Sequence, residues 1–230
     1  MNTIKFVRTR DVKAPNRANY EDAGIDFYIP NPDLIFIDDF VDTNRDRNFT
    51  FKVTAKDVNS NKTLKHSFVY NPCDYDYIKE NGITMSLQIV SYFIDQFGVF
   101  DDENVNNIEF VNVDIKIPGH ERILVPSGVK VWIEPKNSAL IATNKSGVAT
   151  KKGLIVGATT VDSTYTGEVH LSVINTYSNS VSVTLGEKLV QFIHTPVILS
   201  TMCEVDDVDY SELSTSSIRG DGGFGSTGLK

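Results

Sequence analysis

The chain is poor in basic residues and has no long apolar run. It contains 22 Lys and Arg against 30 Asp and Glu, a formal net charge of −8. A protein that neutralises a phosphate backbone needs clustered Lys and Arg, so we expect no nucleic acid partner. No apolar run approaches the roughly 18 residues of a spanning helix, and MNTIKFVRTR lacks the apolar core of a signal peptide. These absences predict a cytoplasmic protein that does not contact membranes.

Cysteine is also scarce. Cys73 and Cys203 are far apart and form no Cys-x-x-Cys pair, which fits neither a disulfide framework nor a zinc site. Both are predicted to be thiols packed in the interior. The four histidines are dispersed, so no His/Cys metal cluster is expected: His66, His120, His170 and His194.

What is abundant is short β-branched and aromatic runs separated by Gly, Pro, Asn and Ser. This pattern is typical of an antiparallel all-β domain. Residues 181–185 (VSVTL) alternate apolar and polar side chains, so one face of that strand should be buried. Gly186 and Pro196 mark places where strand pairing should stop. At 230 residues, the chain is one large domain or an ordinary domain with an insertion.

Residues 31–107 differ from the rest and are interpreted as an inserted acidic α+β subdomain. Residues 31–110 contain 14 acidic and 7 basic side chains, a net −7 out of −8. One helix is predicted, over residues 84–97 (TMSLQIVSYFIDQF). The aromatic residues suffice for a small core of their own, or, if exposed together, would mark a partner-binding patch: Phe36, Phe40, Phe49, Phe51, Phe68, Tyr70, Tyr75 and Tyr77.

Residues 204–230 change from acidic to Ser/Thr-rich and end in RGDGGFGSTG. So few side chains can be buried here that the segment is predicted to be a flexible arm. Glycine backbone N–H groups, Ser and Thr hydroxyls and the Arg219 cation also suit the binding of phosphate oxygens.

Four further segments offer donors for a triphosphate and occur in one order: AGID (23–26), NKSG (144–147), VDSTYTGE (161–168) and GEKLVQ (186–191). With the C-terminal run, they resemble the five-motif pattern of the trimeric dUTPase family. The resemblance covers about residues 3–30 and 109–230 and excludes the insertion.

The resemblance implies a homotrimer of jelly-roll-like β-barrels with a core of residues 1–30 and 108–203. It implies hydrolysis of dUTP to dUMP and pyrophosphate with Mg²⁺. Each site in the family is shared: motifs one, two and four come from one chain, the third from another, and the arm, residues 204–230, from a third.

The resemblance also assigns roles to residues. From the residues alone, Asp162 reads most simply as a hairpin cap; the resemblance makes it the general base that activates water for attack on the α-phosphorus. It places Tyr165 against the deoxyribose and closes Phe224 over the uracil. Asp26 would lie near the magnesium through water, the ion being held mainly by the triphosphate. The remaining substrate-binding residues are Lys145, Ser146, Gly147, Thr159, Lys188 and Gln191, with Arg219, Gly225, Ser226 and Thr227 from the arm.

Three positions depart from the family pattern. Lys145 and Lys188 stand where arginine is common, so the bidentate fork is missing. Thr159 replaces a glycine near the hairpin that reads the base. Two alternatives therefore stay open: hydrolysis of another pyrimidine deoxynucleotide, and a nucleotide-gated interaction module that binds a protein partner through residues 31–107. A dCTP deaminase is disfavoured by the arm with Phe224.

Overall fold

The computed structural model describes residues 2–74, 80, 84–98, 108–217 and 220. The chain divides into two compact units, residues 1–197 and 198–230. In the first unit the strands are β1 Thr3–Arg8, β2 Gly24–Tyr28, β3 Phe49–Asp57, β4 Thr63–Tyr70, β5 Ile108–Ile117, β6 Arg122–Glu134, β7 Ser138–Thr143, β8 Leu154–Val156, β9 Thr160–Asp162, β10 Glu168–Asn175, β11 Val181–Thr184 and β12 Lys188–Pro196. Its helices are α1 Leu34–Thr43, α2 Met85–Phe97 and α3 Ser146–Lys152, with a short 3-10 turn at Pro72–Asp74.

The strands form three antiparallel four-stranded sheets, in the orders β1-β6-β10-β8, β2-β12-β7-β9 and β11-β5-β3-β4. This confirms the predicted all-β class, although the pairings among the described residues leave the sheets open instead of closing a barrel. The predicted alternation is confirmed, since Val183 and Leu185 are buried while Ser182 is exposed. Strand β11 ends before Gly186, which has a φ of 87°.

The inserted segment is α+β, as expected, but it does not form a separate core. Strand β3 pairs with β5 from Thr50 opposite Lys116 to Asp57 opposite Ile108, with a register shift between Thr54 and Ala55. Its described aromatic side chains belong to the same hydrophobic cluster as the side chains of the other sheets or pack against that cluster. The separate small core was therefore a wrong expectation, because β3 and β4 extend a sheet that begins with β11 and β5.

Aromatic packing explains why these rings are buried. Phe40 of α1 packs edge-on against Phe49 and Phe51, with ring centroids 5.0 and 5.7 Å away, and Phe49 stacks on Tyr70 at 4.6 Å. Edge and offset geometries suit the ring quadrupoles and add to the burial term. Five of the eight aromatic residues singled out in the inserted segment are fully buried, which argues against an exposed partner-binding patch: Phe36, Phe40, Phe49, Phe51 and Tyr70. Tyr75 and Tyr77 lie outside the described residues.

Asn44, at the C-terminus of α1, fastens the insertion to β6. Its amide donates to the carbonyls of Phe40 at 2.9 Å and Leu124 at 2.8 Å, and its oxygen accepts from the Leu124 N–H at 2.9 Å. The side chain is fully buried, so these bonds have no competing water.

The second unit contains one described helix, α4 Asp207–Ser214, which the predicted flexible arm did not include. Asp206 caps it by accepting from Val208 and Asp209 N–H groups. Cys203 in this unit and Cys73 in the first are both exposed, so the prediction of buried thiols was wrong. Among the described helices, none is long and apolar enough to cross a membrane.

Candidate functional site

Three charged residues from different elements meet at one end of the β2-β12-β7-β9 sheet. Asp26 lies on β2 and is only 3% exposed. Its Oδ2 pairs with the Lys188 Nζ at 2.7 Å, and its Oδ1 accepts from the Lys145 Nζ. We call these three residues the lysine clamp. Sequence alone placed them in three separate motifs without pairing them.

The electrostatics of the lysine clamp favour the charged forms of Asp26 and Lys188. Burial by itself would raise the pKa of Asp26, but hydrogen bonds from Lys145 and Lys188 outweigh it and lower that pKa below its usual value. The pKa of Lys188 is raised, chiefly by its hydrogen bond to Asp26. One carboxylate against two ammonium groups gives the three clamp residues a net charge of about +1, and one further carboxylate, that of Asp22, lies in the wall of the adjacent cavity.

A cavity of about 270 Å³ opens beside the lysine clamp, lined by Ala18, Asp22, Ala23, Gly24, Asp26, Lys145 and Gln191. A Cβ at Gly24 would lie 2.6 Å from the Gln191 Oε1, so a larger residue there would displace the Gln191 amide. The Gln191 Nε2 in turn donates to the Asn144 carbonyl at 3.1 Å. One predicted residue from each of motifs one, two and four, namely Asp26, Lys145 and Gln191, thus lines the same polar cavity.

Ser146 and Gly147 follow Lys145 as the first two residues of α3. Both are exposed, and Lys145 provides no side-chain cap for the helix. A Cβ placed on Gly147 would meet no atom within 4 Å. The first N–H groups of this helix therefore have room to meet an anionic ligand.

Asp162 ends strand β9 and is exposed. The Tyr165 N–H donates to the Asp162 carbonyl at 3.0 Å, which closes the turn that follows. Ser163 and Lys136 exchange two hydrogen bonds, Lys136 Nζ to the Ser163 carbonyl at 2.8 Å and Ser163 Oγ to the Lys136 carbonyl at 2.7 Å. Lys136, which belongs to none of the five sequence motifs, thus fixes the turn directly after Asp162.

Within one protomer, Asp162 and the lysine clamp lie far apart on the sheet. On β7, Thr143 is opposite Gln191 and Ala139 is opposite Asp162. Four residues of strand separate those two levels, about 13 Å at roughly 3.3 Å per residue. The structure therefore brings the first, second and fourth motifs together and leaves the third elsewhere.

The remaining predicted residues divide into two groups. Thr159 is exposed and its carbonyl accepts from the Ala142 N–H at 2.6 Å, which ties its loop to β7. The C-terminal residues lie outside the described part of the chain: Arg219, Phe224, Gly225, Ser226 and Thr227.

The residues 2–74, 80, 84–98, 108–217 and 220 contain no group of three or more His, Cys, Asp or Glu side chains that could hold a metal ion. Asp26 already accepts from an ammonium on each oxygen. Each carboxylate oxygen has a further lone pair, so Asp26 can accept from a metal-bound water but is poorly suited to direct ligation.

A family model described as dUTPase matches residues 110–228, just over half of the chain. The deoxyuridine 5'-triphosphate nucleotidohydrolase of Gloeothece citriformis is 42% identical over 118 residues, which cover 50% of this chain and 77% of that protein. The Arabidopsis thaliana protein of the same name is 34% identical over 117 residues, covering 51% and 66%.

Solved structures resemble the chain over a longer range. The Staphylococcus bacteriophage 80alpha dUTPase with dUPNHPP covers 100% of both chains, with a TM-score of 0.55 and 15% identity. The dUTPase from phage phi11 of S. aureus, which has a species-specific insert, covers 90% of this chain with a TM-score of 0.50 and 12% identity. At such identities the likeness concerns the fold alone.

Proposed function

The chain belongs to the dUTPase family, and we propose that it hydrolyses dUTP to dUMP and pyrophosphate, as a dUTP diphosphatase. The observation that carries this proposal is the lysine clamp, with its net positive charge, beside a polar cavity and the open start of α3. This arrangement suits a triphosphate because the Lys145 ammonium lines the cavity, Lys188 pairs with the same Asp26 carboxylate, and the first N–H groups of α3 follow Lys145 directly.

The phosphate end of the substrate would contact motifs one, two and four. Lys145 and Lys188 supply point charges, while Ser146, Gly147 and Gln191 supply a hydroxyl, an unobstructed backbone and an amide. Asp26 holds both ammonium groups in place and so acts through them. Because lysine lacks the guanidinium fork, the phosphates would be held by charge more than by bidentate geometry.

Asp162 would be the general base. An exposed carboxylate at the end of a strand can orient and deprotonate a water for attack on the α-phosphorus, with pyrophosphate as the leaving group. Its distance from the lysine clamp in one protomer supports a homotrimer in which the third motif reaches the cavity of a neighbouring chain. Tyr165, in the turn after Asp162, would pack on the deoxyribose.

Magnesium would be held mainly by the triphosphate, with Asp26 accepting from one of its waters. When bound, the ion would neutralise phosphate charge and so favour the leaving pyrophosphate. The residues of this chain then have the tasks of gripping the phosphates, positioning the sugar and holding the proton taken from water on the Asp162 carboxylate.

The test is pyrophosphate release from dUTP, dCTP, dTTP and UTP in parallel, with magnesium and with a chelator. We expect turnover of dUTP alone, lost with the chelator. Asp162→Asn should bind nucleotide and keep its oligomeric state while kcat falls at least about 100-fold. Preference for another nucleotide would redirect the proposal to Thr159, and full activity of Asp162→Asn would remove it as the base.

The C-terminal residues Arg219, Phe224, Gly225, Ser226 and Thr227 are proposed to grip the β and γ phosphates and cover the uracil. Truncation after Ser217 should lower kcat/KM for dUTP by more than about tenfold, since both aromatic cover and phosphate donors are removed. The melting temperature should stay unchanged, and an unaltered rate would mean that the arm has no part in hydrolysis.

A protein partner for residues 31–107 stays a proposal that the packing does not favour. Six of the described aromatic side chains of this segment are buried inside the protein and so cannot form a surface patch: Phe36, Phe40, Phe49, Phe51, Tyr70 and Phe93.

A further inference from the structure

Arg10 connects the inserted segment to the turn that carries Asp162 and Tyr165. Its Nη1 pairs with the Asp39 Oδ2 of α1 at 2.6 Å, and its Nε and Nη2 donate to the two Glu168 oxygens at 3.2 and 3.3 Å. The Arg10 side chain is 14% exposed and that of Glu168 15%. A largely buried, bidentate arginine–carboxylate pair has one favoured geometry and is stronger than an exposed ion pair.

Glu168 is held by more than Arg10. Its Oε1 also accepts from the Gly128 N–H of β6 at 2.6 Å. Arg10 and β6 therefore fix the side chain together, and with it the start of β10. Fixing the Glu168 side chain in this way also fixes the position of its main-chain carbonyl.

Tyr165 depends on this fixed main chain. The Tyr165 hydroxyl donates to the Glu168 carbonyl at 2.8 Å, and the residue is 45% exposed. A Cβ at Gly167 would lie 2.5 Å from the Tyr165 oxygen, so the turn allows the hydroxyl to close back on the chain only with glycine there. The exposed ring is thus oriented by a bond to a residue that Arg10 clamps.

We propose that Arg10 is a positioning residue for sugar selection, and that Asp39 makes the inserted segment part of it. The proposal rests on the proposed function, in which the Tyr165 ring packs on the deoxyribose and excludes a 2'-hydroxyl. In the order Asp39, Arg10, Glu168, Tyr165, each member sets the position of the next. Loosening the guanidinium lets the ring tilt, which admits a ribose and weakens contact with the deoxyribose.

The test uses Arg10→Lys, which keeps the charge but loses the fork, and Asp39→Asn, which leaves Glu168 paired. Both variants should lower the ratio of kcat/KM for dUTP to kcat/KM for UTP, mainly through KM. We expect a decrease of about 5- to 20-fold for Arg10→Lys and of about 2- to 5-fold for Asp39→Asn. Asp95→Asn removes an exposed carboxylate from α2 of the same segment and should leave the ratio unchanged.

The variant Tyr165→Phe tests whether Arg10 acts through the hydrogen bond from the Tyr165 hydroxyl to Glu168. It removes only the hydroxyl, so it should lower the same ratio, and adding Arg10→Lys to it should cause little further loss because both changes break one chain of contacts. Fully multiplicative losses, or a wild-type ratio in Arg10→Lys, would overturn the proposal.

A second readout does not need turnover. With fluorotyrosine incorporated, the ¹⁹F resonance that Tyr165→Phe removes should shift in Arg10→Lys without nucleotide and stay in place in Asp95→Asn. A fixed resonance would contradict the positioning role even in an inactive protein. Failure of wild-type protein to hydrolyse dUTP would instead count against the proposed function.

Discussion

At the residue scale, Asp26 holds the lysine clamp together, and under the proposed function it also positions the two phosphate-binding cations. Its carboxylate is almost fully buried and neutralised by two lysines of unequal exposure, 22% for Lys145 and 38% for Lys188. A buried charge is tolerated only when paired, and removing one partner leaves the others without compensation. Under the proposed function, stability and phosphate binding are therefore coupled at this residue.

Asp26→Asn should lower the free energy of unfolding by about 2 kcal/mol, less than a fully buried pair because Lys188 is partly hydrated. The KM for dUTP should rise as the released lysines lose their fixed positions. Urea unfolding and steady-state kinetics measure the two effects. The control Glu187→Gln breaks the more exposed Lys152–Glu187 pair at 2.6 Å and should cost under about 1 kcal/mol; equal costs would contradict the special role of Asp26.

His194 should make stability sensitive to mild acid. Burial, with a contribution from the charge of Arg17, lowers the pKa of His194 below 6.5. The unfolded chain then binds a proton at His194 more readily than the folded chain does. The contribution of the neutral imidazole to the free energy of unfolding is therefore complete above about pH 6.5 and decreases as the pH falls below it. Asp26 affects stability in a separate, lower pH range. Because its pKa is lowered in the folded protein, the stabilisation from the ionised carboxylate is lost only below about pH 3.8.

Urea unfolding at pH 7.5, 6.5 and 5.5 measures this effect. The loss of stability between the first and last pH should be smaller in His194→Gln than in the parent. His120→Asn, which removes an exposed histidine from a turn of positive φ, should follow the parent curve. The assignment would be contradicted by a His194→Gln curve parallel to that of the parent.

At the scale of elements, helix α1 and strand β3 make the inserted segment part of the main core. Asn44→Ala should cost about 3 kcal/mol, because it leaves the N–H and carbonyl of Leu124 without partners. Chemical denaturation measures this cost. Asn59→Ala changes an exposed asparagine in the β3–β4 turn and should stay within about 0.5 kcal/mol. Equal values for the two variants would mean that Asn44 does not fasten the segment.

Helices that are defined by capping residues and by the spacing of apolar residues could be predicted from the sequence. Helix α2 was predictable because Thr84 caps it and Gly98 ends it at a φ of 72°. Helix α1 was missed although Asp33 precedes apolar residues spaced for one face, Phe36, Ile37, Phe40 and Val41, a signal that an acidic, aromatic-rich context obscured. The exposure of the cysteines depends on tertiary packing and was beyond such signals.

The candidate site was predictable only in its parts. The motifs supplied Asp26, Lys145 and Lys188, but nothing local joins residues 119 positions apart, as Asp26 and Lys145 are. The Arg10–Glu168 pair spans 158 positions and lies partly outside the motifs. Such contacts follow from sheet register, which sequence patterns do not determine over these distances.

At the scale of the whole molecule, the separation of Asp162 from the lysine clamp predicts complementation between inactive chains. Asp162→Asn and Lys145→Ala should each be nearly inactive alone. Co-expressed in equal amounts, they should form mixed trimers in which about a quarter of the sites draw an intact Asp162 and an intact Lys145 from different chains. Pyrophosphate release by the purified mixture measures the recovery.

The control is the double variant co-expressed with Asp162→Asn, in which no chain supplies an intact Asp162. It should stay inactive. Activity of the first mixture no higher than that of its components would argue for sites built within single chains.

Under the proposed function, the lysine clamp also affects how a nucleotide approaches this protein. The chain as a whole carries −8, so at long range it repels a polyanion, while the clamp offers a small local excess of positive charge. Attraction therefore begins only within about a Debye length, roughly 8 Å in physiological salt. Capture by diffusion should thus depend less on ionic strength than in enzymes whose whole surface is basic, and it should favour ligands whose charge is already reduced by a bound cation.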